Sequence, residues 1–276
     1  MWESGIKVTI LPLKGKRRNN KTMKILYFTA TGNNLSVAKR FDAELLSIPQ
    51  MIKNNNYMIE DDKVGIIYPI YSLSVPLIVK QYLEKCTIKA NYVFVIATYG
   101  FTSGGSLHEM RKILEKNGNH ADYYESLLMV DNFLPFFDIN HQINSIKDKN
   151  IENRLNLIVN EVKEGIKKQE NCNKFNKLMS LGGNIIINRI LRFIPKLLHI
   201  SDDCIGCGIC KNVCPVSNII QEKSNKPQYL NKCVGCLSCI HNCPKNAINM
   251  KFQKSRKRFR NEETTVKEII DSNKNW

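Results

Sequence analysis

The sequence predicts an α/β fold, in which a doubly wound parallel sheet is followed by a small C-terminal α+β domain. Two observations carry this prediction. Apolar segments rich in β-forming residues alternate with helical patterns between residues 23 and 170, and such alternation is typical of parallel sheets joined by right-handed crossovers. Eight of the ten cysteines then fall between Cys204 and Cys243. The 276 residues are enough for two unequal domains of this kind.

The parallel sheet is predicted from four segments that are short and apolar on both faces, as buried parallel strands are. These strands span residues 24–28, 63–68, 91–98 and 123–130. Between and after the strands, apolar residues recur at helical spacing. The predicted helices span residues 34–44, 75–85, 105–117 and 151–170.

The flanking and connecting segments are predicted from charge and periodicity. Residues 1–22 are expected to be a basic N-terminal extension, and Met23, at the start of the first strand, is a candidate translation start. Residues 171–203 are a predicted connector with an apolar stripe at helical spacing, which Pro195 is expected to kink or stop. We expect this helix to pack the two domains together, although a basic amphipathic helix can also lie on a membrane surface. Residues 251–276 are predicted to be a basic C-terminal tail.

The cellular compartment is predicted from what the sequence does not contain. No segment approaches the roughly 20 apolar residues that a membrane span requires. The apolar stretch at residues 8–13 is followed, not preceded, by its basic cluster, unlike a secretory signal. We therefore expect a cytoplasmic protein, in which densely spaced cysteines indicate metal binding and not disulfides.

Residues 204–250 contain two copies of one cysteine motif. Both read C-x2-C-x2-C-x3-C-P, over residues 204–215 and 233–244. Three cysteines at this spacing bind three irons of one cluster, and the fourth ligates the other cluster. A zinc site usually pairs two C-x2-C units, and a third cysteine at the same step has no place in it. The motifs predict two [4Fe–4S] clusters, one held by Cys204, Cys207, Cys210 and Cys243, and the other by Cys214, Cys233, Cys236 and Cys239.

Three loops follow predicted strands at the edge where open α/β sheets bind ligands. Residues 29–34 are uncharged, with hydroxyls and a glycine before a helix, which favours an anion site. This loop has no Walker lysine and no G-x-G-x-x-G, so it indicates a monophosphate such as that of FMN. Residues 68–76 and 98–106 carry aromatics and glycines that can flank a flat ring. The candidate cofactor-binding residues are Thr29, Thr31, Gly32, Asn33, Asn34, Pro69, Tyr71, Ser72, Thr98, Tyr99, Gly100 and Gly104.

With these loops, residues 23–170 resemble flavodoxins, whose phosphate loop reads Ser/Thr-x-Thr-Gly-Asn-Thr. Asn34 stands in place of the last threonine. Residues 23–250 as a whole resemble the EFR-family ferredoxins, in which a flavodoxin-like domain is fused to a bacterial-type ferredoxin domain with two [4Fe–4S] clusters. The resemblance implies an FMN-type flavin and both clusters on one chain. It also implies phosphate-loop roles for Thr29, Thr31, Gly32 and Asn33, and ring-flanking roles for Tyr71 and Tyr99.

The function predicted from these features is intramolecular electron transfer between FMN and two [4Fe–4S] clusters, which couples one-electron to two-electron redox partners. No Ser–His–Asp set and no paired carboxylates stand out, so we assign no catalytic residue. His241, within the second motif, is interpreted as a surface residue beside the cluster ligands. Two alternatives stay open: a ferredoxin-type carrier whose flavodoxin-like part is a flavin-free docking module, and an iron–sulfur redox sensor.

The charge distribution predicts the kind of partner. The chain has 41 Lys and Arg against 25 Asp and Glu, a net charge of +16. Residues 1–23 carry +5 and residues 251–276 carry +4, whereas residues 24–203 carry only +3. We expect an acidic redox protein as partner, with an association rate that falls as salt is added. Nucleic acid is the competing interpretation of the basic ends, but the sequence has no signature of a nucleic-acid-binding fold.

Overall fold

The computed structural model describes residues 22–170, 193–222 and 226–274. Residues 22–170 contain seven strands, β1 (Met23–Tyr27), β2 (Glu44–Ser47), β3 (Met58–Glu60), β4 (Lys63–Pro69), β5 (Thr87–Lys89), β6 (Tyr92–Tyr99) and β7 (Tyr123–Leu128). Five of them form a parallel sheet in the order β2-β1-β4-β6-β7, and β3 and β5 form a separate parallel pair. Counted along the chain, the main sheet has the order 2-1-3-4-5, which is the flavodoxin-like doubly wound order. The predicted fold class is confirmed.

Helices cover both faces of this sheet. They are α1 (Asn33–Ala38), α2 (Ile48–Lys53), α3 (Leu77–Leu83), α4 (Ser106–Lys116), α5 (Ile139–Asn144) and α6 (Ile151–Glu164). Ile66 packs into the core beneath α2, α3 and α4, whereas its neighbour Ile67 packs into the core beneath α1 and α6. Successive residues of a strand point to opposite faces, so the uninterrupted apolar runs of β4 and β6 bury side chains in two cores at once.

All four predicted helices are shorter in the structure, and those predicted at residues 34–44 and 151–170 are shortened most. The helix predicted at residues 34–44 ends at Ala38, and β2 begins at Glu44. This strand lies at the sheet edge and pairs only with β1, so it lacks the continuous apolar run that reveals a central strand. The helix predicted at residues 151–170 ends at Glu164, because Gly165 adopts a left-handed conformation (φ 73°) that caps the helix.

The cysteine-rich part is built from short elements. It contains α7 (Ile194–Leu197), β8 (Leu198–Ile200), α8 (Ile209–Asn212), β9 (Ile219–Ile220), β10 (Gln228–Tyr229), α9 (Ser238–His241) and β11 (Ile248–Met250). β8 pairs antiparallel with β11, and β9 with β10. Of the predicted connector, residues 171–192 lie outside the described residues, and Pro195 stands in the first turn of α7, where its missing N–H costs no hydrogen bond. No helix in the described ranges is long and apolar enough to cross a bilayer.

Residues 251–274 form a segment that packs back onto the flavodoxin-like part, and we call it the C-terminal segment. It ends in α10 (Val266–Asn273), which begins with a capping box between Thr265 and Glu268. Ile269 is fully buried, and Glu268 forms a 2.6 Å ion pair with Lys39. The Lys and Arg residues that suggested a tail are concentrated in residues 251–260. The helix α10, which anchors the segment, follows these residues.

Candidate functional site

The eight motif cysteines line two cavities. Cys204, Cys207, Cys210 and Cys243 line one cavity, which we call the outer cavity. Cys214, Cys233, Cys236 and Cys239 line a second cavity, which we call the inner cavity. These are the two sets of four that the motif spacing predicts, and each includes one cysteine from the other motif. The nine cysteines in the described ranges form no disulfide.

Left-handed residues turn the chain between neighbouring cysteines. Gly208 (φ 75°) precedes α8 and Leu237 (φ 55°) precedes α9, at equivalent positions of the two motifs. A non-glycine residue in this conformation costs roughly 1–2 kcal/mol. Leu237 is only 4% exposed and packs into the core that surrounds the cysteines, so burial of its side chain offsets the strain.

Backbone amides and burial set the electrostatics of the cysteine sulfurs. The cysteine before each motif proline accepts a hydrogen bond from the amide four residues later: Cys214 from Asn218 at 3.2 Å, and Cys243 from Ala247 at 3.3 Å. Burial, reinforced by neighbouring cysteines, raises the pKa of Cys210 to about 12. Four thiolates can share such a site only with the positive charge of bound metal between them.

The cysteine spacing does not suit a single metal ion. Within the described part of the chain, no three His, Cys, Asp or Glu side chains lie close enough to hold one ion. A tetrahedral zinc site with bonds of about 2.3 Å places its thiolates about 3.8 Å apart. Thiolates that ligate different irons of a cluster stand farther apart, so these cavities suit a multi-iron cluster.

Residues 203–248 match the family of 4Fe-4S dicluster domains. We refer to them as the dicluster domain. The match supports electron transfer through iron–sulfur chemistry, in agreement with the donor set of the two cavities. No curated protein matches the chain.

Solved structures similar to the chain include flavodoxin and other flavoproteins. The rubredoxin oxygen:oxidoreductase of Desulfovibrio gigas is 12% identical over 50% of this chain and 36% of that protein, with a TM-score of 0.31. The flavodoxin of Megasphaera elsdenii is 16% identical over 38% of this chain and 85% of its own length, with a TM-score of 0.30. A putative flavoprotein of Bacteroides eggerthii is 17% identical over 47% of this chain and 98% of its own, with a TM-score of 0.31.

The two cavities differ in their surroundings. The outer cavity lies near solvent: Ile205 in its wall is 61% exposed, and Cys207 is exposed. The inner cavity lies against the flavodoxin-like part, where Cys236 and Tyr71 pack on the same hydrophobic core. The dicluster domain therefore presents one set of ligands outward and the other toward the carboxyl edge of the sheet.

The predicted phosphate loop is hydrogen-bonded within the protein. Asn132 Nδ2 donates to the Thr31 hydroxyl at 2.7 Å. The side chain of Asn34 donates to the Phe28 carbonyl at 2.9 Å and accepts from the Thr98 hydroxyl at 2.7 Å. Thr31 and Asn34 are 2% and 1% exposed. Asn34 and Thr98 thus hold the loop to the sheet and do not face a ligand.

The dicluster domain and the C-terminal segment cover this loop. Three successive carbonyls accept hydrogen bonds from them: Thr29 from Asn273 Nδ2 at 2.9 Å, Ala30 from Ser238 Oγ at 2.8 Å, and Thr31 from the Asn261 amide at 2.8 Å. A Cβ added to Gly32 would lie 2.0 Å from the Thr264 hydroxyl, so Thr264 is seated directly on the glycine. Contacts from the two other parts of the protein thus occupy the carbonyl side of the loop and the space beside Gly32.

The predicted ring-flanking residues also contact protein. Tyr71 packs edge-on against Phe28, with 6.2 Å between ring centroids, and burial, with Cys236 nearby, raises its pKa well above the usual value. Gly100 lies against Asp131, and Gly104 against Leu73. Pro69 and Thr98 are opposite one another in the sheet, Ser72 is exposed and Tyr99 is half-buried. These contacts lie within and between the loops at residues 68–76 and 98–106, and Tyr71 and Tyr99 stay predicted ring-flanking residues.

His241 is buried, so its interpretation as a surface residue is wrong. Its Nε2 donates to the Asn132 carbonyl at 2.8 Å, and its Nδ1 accepts from the Phe259 amide at 3.2 Å. Burial lowers its pKa to about 4, which keeps the ring neutral. The imidazole therefore joins the dicluster domain, the loop after β7 and the C-terminal segment. No periodic pattern in the sequence indicates this role, because both partners of the imidazole are distant from His241 along the chain.

Proposed function

We propose that this chain is a one-electron carrier with two [4Fe–4S] clusters, whose flavodoxin-like part is the body on which the dicluster domain is docked. The observation that carries the proposal is the pair of four-cysteine cavities, each with ligands from both motifs. Because both sets of ligands belong to one small domain, the distance between the two redox centres is fixed and exchange between them is intramolecular.

Each part of the cysteine sites has its own role. Bound clusters supply the one-electron chemistry. The amides of Asn218 and Ala247 donate to ligand sulfurs, and such hydrogen bonds favour the more negative, reduced state. Ile240 and Ile248, which are at most 1% exposed, keep water from the cavities.

The contacts between the dicluster domain and the flavodoxin-like part favour a role of the flavodoxin-like part as the docking body. Ser238 Oγ and Asn242 Nδ2 both donate to the Ala30 carbonyl, at 2.8 and 3.2 Å. Leu134, which follows β7, is fully buried in the hydrophobic core of the dicluster domain. A domain held by both polar and apolar contacts keeps one orientation, so the inner cavity stays against the sheet edge and the outer cavity stays open.

A flavin-coupled function, with electron transfer between FMN and the clusters, is the second candidate. It is favoured by the contact of Cys236 and Tyr71 with one core at the ligand-binding edge of the sheet. In this candidate, a bound phosphate would share the loop at residues 29–34 with Thr264, which is seated on Gly32.

Anaerobic purification followed by iron, sulfide and flavin analysis tests the proposal. We expect about eight irons per chain, as two [4Fe–4S] clusters require, and no yellow chromophore after denaturation. Zinc in place of iron would overturn the carrier proposal. Stoichiometric flavin beside the iron would instead establish the flavin-coupled candidate. Loss of the clusters that switches binding to DNA or a protein would point to the redox sensor.

A further inference from the structure

One surface of the protein concentrates positive charge. Residues 245–260 contain seven Lys and Arg and no Asp or Glu. Six of these residues are exposed, and in the described ranges none of the six forms an ion pair. One of them, Arg260, donates its Nε–H to the Thr264 carbonyl. We call the other five the cationic face: Lys245, Lys251, Lys254, Arg256 and Lys257.

The cationic face adjoins the outer cavity. Lys245 lines that cavity together with Cys243. It also lines a neighbouring open groove with Lys254 and Arg256, and Asp203 is the single acidic residue among those that line it. The positive charge therefore stands directly beside the set of cysteines that is nearest to solvent.

Two exposed apolar side chains accompany these charges, Ile205 in the wall of the outer cavity and Phe252 next to Lys251 in the chain. Phe252, between Lys251 and Lys254 in the chain, is 82% exposed, and Ile205 beside the outer cysteines is 61% exposed. Protein interfaces commonly combine an apolar anchor with a charged rim. A surface that bound only the phosphates of a nucleic acid would need the charge but not these anchors.

We propose that the cationic face docks an acidic one-electron carrier protein over the outer cavity. The inference rests on the proposed carrier function and adds the partner and its place. Carboxylates of the partner steer it to the five cations, and Phe252 and Ile205 provide the apolar contact. The exchange moves one electron, so that one centre is oxidised as the other is reduced, and no bond is made or broken.

Charge-reversal variants with a matched control test the proposal. The face variant is Lys245→Glu, Lys254→Glu and Arg256→Glu. The control variant, Lys112→Glu, Lys116→Glu and Lys163→Glu, makes the same change of charge at exposed lysines on α4 and α6. A third variant replaces the three face residues by Gln, which removes the charge without reversing it. Iron content and the electron paramagnetic resonance spectrum check that each variant keeps its clusters.

The measurement is the stopped-flow rate of electron exchange with an acidic plant-type [2Fe–2S] ferredoxin, with each protein in turn as the reduced partner. The rate is measured between 20 and 300 mM NaCl, which is roughly the range over which salt screens surface charges. We expect the face variant to be about 10-fold slower or more at low salt, with a flatter salt dependence. The Gln variant should be intermediate, and the control variant should stay within about twofold of the wild type by the same reasoning.

Three further outcomes separate the explanations. Equal slowing of the face and control variants would overturn the docking proposal, because net charge alone would then explain the effect. Loss of binding to a single-stranded DNA 20-mer in the face variant alone, with an unchanged ferredoxin rate, would assign the surface to nucleic acid. Failure of reduced methyl viologen, which needs no protein docking, to reduce the wild-type clusters would overturn the carrier function itself.

Discussion

One residue in the left-handed conformation precedes the short helix of each cysteine motif, and the residue type at this position differs between the two motifs. Gly208 has open space around the position of a Cβ, with the nearest atom 3.9 Å away, whereas Leu237 carries a buried side chain in the equivalent turn. The cysteine spacing could be predicted from the sequence as a ligand pattern. The left-handed turn at Leu237 could not, because leucine has no preference for that conformation.

Gly208→Ala tests the role of the turn at the outer cavity. We expect a loss of about 1–2 kcal/mol from backbone strain alone, with faster release of iron to a chelator. Gly118→Ala is the matched control, because Gly118 is also left-handed (φ 70°) with nothing near its Cβ position, but lies in the flavodoxin-like part. Thermal unfolding and chelator kinetics provide the measurement. Equal iron release from the two variants would show that the turn does not hold the cluster.

Among the helices and strands, the prediction is accurate where a continuous apolar run is enough to locate the element. β4 and β6 are continuous apolar runs, and their positions could be predicted to within a residue or two. The capping box of α10, Thr265 to Glu268, is a local signal that the prediction missed. The place where α10 packs could not be predicted, because it depends on burial of Ile269 against distant residues. The ion pair with Lys39 and hydrogen bonds from Thr265 lower the pKa of Glu268 to about 2.

Glu268→Gln is expected to loosen α10 and the cover of the phosphate loop. The side chain is partly exposed, so we expect the unfolding free energy of the segment to fall by about 0.5–1 kcal/mol. A lowered carboxylate pKa stabilises the folded state above the usual value of 4.5, and this stabilisation is lost only as the pH falls toward 2. The effect should therefore be equal at pH 6 and pH 8.

Hydrogen–deuterium exchange of residues 261–274 and 29–34 measures this change. Glu262→Gln is the control, since Glu262 is exposed and the substitution removes the same charge. Similar exchange in both variants, or a difference that grows from pH 6 to pH 8, would contradict the assigned role of Glu268.

For the whole molecule, the sequence predicts the cysteine-rich domain and the parallel sheet, but not the interface between them. The cysteine motifs and the parallel sheet are each encoded locally, by spacing and by apolar runs. The interface depends on polar residues such as Ser238, Asn242 and Asn261, which donate to backbone carbonyls of the phosphate loop. Buried polar contacts of this kind follow no periodicity, so the cover over the predicted phosphate loop could not be foreseen.

Removal of iron should therefore affect the flavodoxin-like part as well. The cysteine sites are folded around their metal, and the dicluster domain covers the loop at residues 29–34. We expect faster amide exchange in that loop after oxidative removal of the clusters, while β6, which is buried by the helices of its own part, stays protected. Unchanged exchange at residues 29–34 would mean that the cover does not depend on the clusters.

The hydrogen bonds to the carbonyls of Thr29, Ala30 and Thr31 affect whether the flavodoxin-like part can be stable without the rest of the chain. A fragment that ended at residue 170 would lose all three donors, at about 1–3 kcal/mol for each acceptor that stayed buried. It would also uncover Val130, Leu134 and Ile139, which are buried together with residues of the dicluster domain. We therefore expect each part, as a separate fragment, to expose surface that the other part buries in the full chain.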